Sequence, residues 1–329
     1  MARAISLIED ETAGAAALIR DIFPHTGRTY LIGVTGPPGA GKSTLVDRLI
    51  AESRKAGDTI GVIAVDPTSP FTGGAILGDR VRMQAHAQDD GVFIRSMATR
   101  GHMGGLARAS GDAALVLDAS GKSVVIIETV GVGQDEVDIV RTADVSIVVL
   151  VPGTGDDVQA LKAGIMEIAD IFVVNKSDRE GADRMVTSIE SNLALQTFPE
   201  GEWRPPILKT EATTGAGVAG LWETIRRFRA HSEGTRDKRL RARNEYRLRD
   251  LLTHRFMEHV EHDLLGTVEF DKLVTRIAAR EIDPYTAASD ILMKAIQTPE
   301  SPPALSETES GPRPDSLESK GRPEPDSKS

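Results

Sequence analysis

At 329 residues, 40% hydrophobic and 27% charged, the chain is long enough for one large α/β domain plus an accessory piece, with the composition of an ordinary globular protein. A net charge of −10 argues against a general nucleic-acid or anionic-membrane surface, and no apolar run approaches a membrane-spanning length. With zero Cys there is no disulfide framework, thiolate metal site or thiol chemistry, so a cytoplasmic protein without nucleic-acid or membrane partners is expected.

The first 27 residues are expected to form an N-terminal helical extension. Ile5, Ile8, Ala15, Leu18 and Ile19 recur at helical spacing and predict one amphipathic helix up to about Phe23. Acid at Glu9, Asp10 and Glu11 is foreign to a signal-peptide pattern. From 28 to 231, apolar segments alternate with helical stretches. Strands are predicted at Tyr30–Thr35, Thr59–Val65, Val92–Ser96, Ser123–Thr129, Val145–Val151, Ile171–Asn175 and Pro206–Thr210. Several are continuous apolar runs, as strands covered on both faces require, so the expected fold class is α/β with a mostly parallel central sheet flanked by helices. From 232 to 297 the chain becomes Arg-rich and helical, over Arg236–Val260, Val268–Ala279 and Pro284–Ile296, which predicts a helical arm packing on the α/β domain or on a second copy of the chain. Residues 298–329 hold seven of the 17 prolines and almost no apolar residues. Burial cannot offset ordering entropy there, and a disordered tail is expected.

The segment Gly36-Pro37-Pro38-Gly39-Ala40-Gly41-Lys42-Ser43-Thr44 fits G-x-x-x-x-G-K-[ST] between a predicted strand and a predicted helix, the setting of a phosphate-binding P-loop. Its glycines let backbone N–H groups converge on the phosphates, and the helix N-terminus adds partial positive charge. Lys42 would neutralise the β- and γ-phosphates, and the Ser43 hydroxyl would ligate Mg²⁺. Asn175-Lys176-Ser177-Asp178 follows another apolar strand with the N-K-x-D pattern of guanine-specific proteins. A buried Asp178 carboxylate would accept from the ring N–H and the exocyclic amine of guanine, where adenine offers an acceptor and no donor. GTP and GDP are the expected nucleotides.

Further acids complete the expected site. Glu128 closes a strand two residues before Val130-Gly131, where P-loop proteins place a carboxylate near Mg²⁺ and a backbone N–H that senses the γ-phosphate. The run Gly131-Val132-Gly133-Gln134 is a candidate switch loop. Asp66, at a strand end, could orient the attacking water, and Asp79, thirteen positions on, could complete the metal shell, although both residue types are also common in turns. In Glu211-Ala212-Thr213, after the last strand, the backbone N–H of Ala212 or its neighbour would face the exocyclic oxygen of the base. Arg80, Arg82, Arg100 and Arg108 are candidates only for an arginine finger, and each better suits a solvated or helix-face cation.

Taken together, G-P-P-G-A-G-K-S-T, V-D-P-T-S-P-F-T-G-G-A-I-L-G-D-R, E-T-V-G-V-G-Q and N-K-S-D resemble the MeaB/ArgK GTPases, of the SIMIBI class of P-loop proteins, over about Ile32 to Trp222. The resemblance implies a GTPase that protects an adenosylcobalamin-dependent acyl-CoA mutase, most often methylmalonyl-CoA mutase, gates its cofactor loading and helps eject damaged cofactor. It implies a homodimer through the C-terminal helical arm, slow turnover alone and stimulation by the partner. Lys42, Asp66 and Glu128 would be catalytic, Ser43, Asp66, Asp79 and Glu128 would hold Mg²⁺, and Asn175, Lys176 and Asp178 would hold guanine. The loop from Pro152 to Gln159 resembles the extra switch that this family turns toward its mutase. Two departures stand out: Glu211 replaces a usual Ser, and Arg100-Gly101-His102-Met103-Gly104-Gly105 differs from the commonest form. Rival readings are a nickel-insertion GTPase of the same group, which would bring Cys and His clusters, and an ArgK-like transport-system kinase or ATPase, which would need an acceptor site.

Overall fold

The computed structural model describes residues 1–10, 12–66, 83–86, 88–98, 105–129, 142–153 and 165–297. Helices α1 (Ala2–Glu9) and α2 (Ala13–Ile22) precede a sheet of β1 (Tyr30–Thr35), β2 (Ile60–Asp66), β3 (Val92–Ala98), β4 (Val124–Glu128), β5 (Val145–Leu150), β6 (Ile171–Asn175) and β7 (Ile207–Thr210). Each lies within two residues of its predicted bounds. The strand order is β3-β2-β4-β1-β5-β6-β7, and every pairing is parallel. Parallel neighbours need crossovers. Among the described residues these contain α3 (Lys42–Lys55), α4 (Gly105–Ala119), α5 (Ile165–Ile168) and α6 (Ala182–Leu193), and α7 (Val218–Ser232) follows β7.

Alternation along each strand divides the core between two faces. Val145, Ile147 and Val149 of β5 join Ile32 and Val34 of β1 under Leu45 and Leu49 of α3 and Leu221 and Phe228 of α7. Val148 and Leu150 point the other way, into a cluster with Phe172, Val174 and the α6 residues Met185 and Ile189. Leu31, Ile63, Val125 and Ile127 pack against Leu117 of α4 and Ile5 and Ile8 of α1. With both faces covered, β5 is apolar throughout except at the buried Ser146.

The single N-terminal helix expected from periodicity is interrupted. Thr12 takes an extended backbone (φ −67°, ψ 154°), and its N–H and Oγ1 both donate to Leu7 O, at 3.2 and 3.1 Å, before α2 starts afresh. Asp118 of α4 then fixes the entry to β1, accepting the backbone N–H of Gly27 (2.5 Å), Arg28 (3.2 Å) and Thr29 (3.1 Å) while only 8% exposed.

After α7 come α8 (Arg236–Glu258), a π-helical turn (His259–Leu264), α9 (Gly266–Ala278) and α10 (Pro284–Gln297). The chain divides into Met1–Arg249 and Asp250–Ser329, with the boundary inside α8. In the first unit, Arg236, Arg239, Arg243 and Arg247 recur every three or four residues and so share a face. Arg236 donates to Gly27 O (3.2 Å), Arg239 to Asp144 O (3.1 Å) and the Asp170 carboxylate (3.3 Å), and Arg243 to Thr142 O (3.0 Å) and the Asp144 carboxylate (3.1 Å), while Arg247 pairs with Asp112. Burial pushes the Asp170 carboxyl up from its ordinary pKa, and Arg239 partly offsets this. Gly27, Asp144 and Asp170 immediately precede or lead into β1, β5 and β6, so this stretch of α8 crosses the N-terminal edge of the sheet. In the second unit the π turn packs with α9 and α10 around Val260, Leu265 and Ala287. Among the described residues no helix is long and apolar enough to cross a membrane.

Replacing Asp118 with Ala removes the acceptor of three backbone donors in a dry position. Asp118→Ala is expected to lower the unfolding free energy by about 2–3 kcal/mol, measured by urea titration against the wild-type chain.

Candidate nucleotide-binding site

Because all seven strands are parallel, their C-terminal ends share one edge, and the P-loop leaves that edge from β1, between β4 and β5. Gly36 has φ 141°, and a Cβ there would stand 2.0 Å from Val149 O. Gly41, the N-cap of α3, has φ 86°, and a Cβ there would stand 2.6 Å from Asn175 Nδ2. Pro38 and Gly39 are exposed at the tip, Pro37 is half-buried, and Ala40 is buried beneath them. Lys42 and Ser43 open α3, only 6% and 7% exposed. The Lys42 ammonium donates to Gly36 O (2.7 Å) and Pro37 O (3.1 Å), which holds it across the mouth of its own loop. Thr44 follows, half-buried, in the same first turn. A helix N-terminus and a fixed cation suit a polyphosphate.

Ser43 Oγ donates to Glu128 Oε1 at 2.6 Å, with Glu128 3% exposed at the end of β4. Beside them, Thr129 Oγ1 donates to Thr35 Oγ1 (3.0 Å). A buried hydroxyl and carboxylate in contact are hard oxygen donors, the ligand type Mg²⁺ requires. The backbone of Asp66 ends β2, the strand next to β4, two residues beyond the Ala64–Glu128 pair. Its side chain lies outside the described residues, as do Asp79, Gly131 to Gln134, Arg80, Arg82, Arg100 and the loop from Thr154 to Gln159. Arg108 is on α4, and Gly153 (φ 88°) is the last described residue after β5.

At the other end of the loop, Asn175 is 2% exposed and cross-braces three elements. Its Nδ2 donates to Ala40 O (2.8 Å), while Oδ1 accepts from Thr210 Oγ1 (3.0 Å) and Ala212 N–H (3.1 Å). Lys176 adopts φ 55°, in the left-handed region, and its ammonium donates to Gly39 O (2.8 Å). Asp178 is exposed rather than buried as the base-selection argument assumed, so it can be desolvated only by what binds over it. The N–H of Ala212 or its neighbour was expected to face the base; that of Ala212 is bound to Asn175 Oδ1. Glu211 sits at the root of the loop, its N–H donating to Ala216 O (3.0 Å) and its carbonyl accepting from Gly215 N–H (2.8 Å).

The motifs do not point to Arg48, yet it reaches this loop from α3, with Nε 3.1 Å from Ala212 O and Nη2 2.8 Å from Thr213 O. Residues 164 and 165 apart in sequence meet here, and no local pattern marks such a contact. Among the described residues no group of three or more His, Asp or Glu is arranged to hold a metal.

Comparison with known proteins accords with this geometry. Residues 1–264 match the family model of the methylmalonyl-CoA mutase-associated GTPase MeaB. A Pyrococcus abyssi protein named as a GTPase is 53% identical over 301 residues, 90% of this chain and 92% of that one. The GTPase ArgK of Escherichia coli is 36% identical over 279 residues, 83% of this chain and 84% of that one. A crystal structure described as an LAO/AO transport system kinase superposes with a TM-score of 0.66 at 27% identity, covering 90% of this chain and 92% of the other. With the P-loop, the strand-end carboxylate and the N-K-x-D turn on one edge of a parallel sheet, the kinship is plain: this GTPase belongs to the MeaB family.

Proposed function

We propose that this GTPase binds Mg·GTP along the C-terminal edge of its sheet and uses hydrolysis to time the protection, cofactor loading and repair of an adenosylcobalamin-dependent acyl-CoA mutase, methylmalonyl-CoA mutase foremost. The observation that carries the reading is the match of residues 1–264 to a family named for its association with that mutase. On this reading the P-loop from Gly36 to Thr44 and Gly131 contact the phosphates, with Lys42 neutralising developing charge. Asn175, Lys176 and Asp178 hold guanine, with Glu211, Ala212 and Thr213 lining it. Ser43 and Glu128 would hold Mg²⁺, with Asp66 and Asp79 completing its shell. When bound, the ion screens the β- and γ-phosphate oxygens and neutralises charge that builds as the terminal phosphate departs. Asp66, at the end of β2, orients the attacking water.

The same reading divides the chain into an extension (1–27), the GTPase domain (28–231), a helical arm (232–297) and a tail (298–329), acting in the cytoplasm. The arm makes the homodimer. Supporting this, Leu252, Phe256, Val268, Tyr285 and Met293 are 61%, 40%, 67%, 85% and 55% exposed, far more apolar surface than a lone helical unit gains by showing to water. Turnover is slow on this reading until the mutase orders the loops around the nucleotide.

Asp178→Asn puts an amide where guanine needs an acceptor for two donors. GTP affinity is expected to fall about a hundredfold with ATP affinity unchanged, read by calorimetry. Glu128→Gln keeps the shape at the end of β4 and removes the charge beside Ser43. Hydrolysis at saturating GTP should drop about a hundredfold, with the half-saturating Mg²⁺ concentration raised. The chaperone role is tested by capturing methylmalonyl-CoA mutase on the immobilised chain loaded with GDP or with a non-hydrolysable GTP analogue. Retention that depends on the nucleotide is expected, and none in either state overturns the role. Terminally labelled GTP should yield free phosphate, whereas label on protein would favour the kinase reading.

A further inference from the structure

Arg48 stands on α3 one turn beyond Thr44, the last P-loop residue, and its side chain reaches the loop after β7. Its guanidinium spans consecutive carbonyls, Nε to Ala212 O at 3.1 Å and Nη2 to Thr213 O at 2.8 Å. A planar fork with fixed N–H directions can hold two neighbouring acceptors at once, which a single ammonium does less well. In a trans peptide the carbonyl and the following N–H point in opposite directions. Drawing the Ala212 and Thr213 carbonyls toward Arg48 therefore turns the N–H groups of Thr213 and Thr214 to the opposite side of the loop.

The rest of the loop is fixed by other bonds. Ala212 N–H is held by Asn175 Oδ1 (3.1 Å), and the loop base is closed by Glu211 N–H on Ala216 O (3.0 Å) and Gly215 N–H on Glu211 O (2.8 Å). Between those anchors, the Arg48 bonds set the tilt of the peptides at 212–213 and 213–214. We propose that Arg48 is a positioning residue for guanine recognition, which aims the backbone donors of Thr213 and Thr214 at the exocyclic oxygen of the base. This rests on the proposed placing of guanine against residues 211 to 213. Because Lys42 and Ser43 open the same helix, one rigid element then sets both ends of the nucleotide, and base grip changes without change in the chemistry at the phosphates.

The full chain and its Arg48→Ala and Arg48→Lys variants are compared with GTP, ATP, 6-thio-GTP, whose sulfur is a weak acceptor in place of the exocyclic oxygen, and ITP, which lacks the exocyclic amine. Arg48→Ala is expected to raise the KM for GTP and the GDP dissociation rate about tenfold, and Arg48→Lys to fall between. The value of kcat should stay within about twofold, since the reacting groups are untouched. The preference for GTP over 6-thio-GTP should shrink, while the preference for GTP over ITP, which reports on Asp178, is retained. Melting temperatures are recorded in parallel. Unchanged KM, dissociation rate and thio-preference in Arg48→Ala would overturn the inference. An equal weakening toward every nucleotide accompanied by a fall in melting temperature would overturn it too, because that is what a purely structural contact produces. A wild-type chain that holds ATP as well as GTP is a separate outcome: it removes the guanine site, and the role of Arg48 with it.

Discussion

The departure of the chain from β1 rests on a contact that only glycine permits. Gly36 runs so close to the Val149 carbonyl that any side chain would force β1 and β5 apart, and Gly41 approaches the Asn175 amide almost as tightly. Between these two points the loop has little freedom, so the start of α3 is set by backbone sterics. Ser43 then meets Glu128 across the gap between β1 and β4, and the Lys42 ammonium falls back on the carbonyls of its own loop. A polyphosphate site needs donors already aimed before the ligand arrives, since reorganising them would cost part of the binding energy.

Asn175 extends that rigidity to the end of β7 and the loop after it. Its amide uses both ends, donor to the P-loop and acceptor from β7 and the following loop, so the two loops cannot shift independently without leaving a buried polar group unpaired. The next residue, Lys176, pays for the sharp turn with a left-handed backbone, a strain of about 1–3 kcal/mol that its bond to Gly39 O helps to offset. The turn presents Asp178 to solvent. An exposed carboxylate is desolvated only when a ligand covers it, not by an already dry pocket.

The strands were legible because burial on both faces forces unbroken runs such as Val124 to Ile127, and the glycine motif was legible because its spacing is dictated by one tight loop. What escaped depends on contacts distant in sequence. The break at Thr12 follows from a local bond to Leu7 that periodicity does not register. The capture of Ala212 N–H by Asn175 joins residues 37 apart, and the reach of Arg48 joins residues 164 apart. The Arg-rich start of α8 was expected to pack on the α/β domain or on a second copy, but its partners Asp112, Asp144 and Asp170, far apart in sequence, are gathered beneath it only by the fold.

That arginine face also separates two mechanical regimes. Arg239 holds Asp170 at the foot of β6, and Asn175 closes the same strand about 16 Å away. A fully buried strand transmits position rather than a choice between two states, so the helix steadies the foot of the strand without switching its tip. The attachments differ in kind as well. At the nucleotide edge the bonds of Asn175, Ser43 and Lys42 are buried and little screened. Along α8 the pairs are partly exposed, with Arg239 44% open, so each contributes little and weakens with salt. Raising ionic strength should therefore loosen this stretch of α8 well before it disturbs the loop around Gly36.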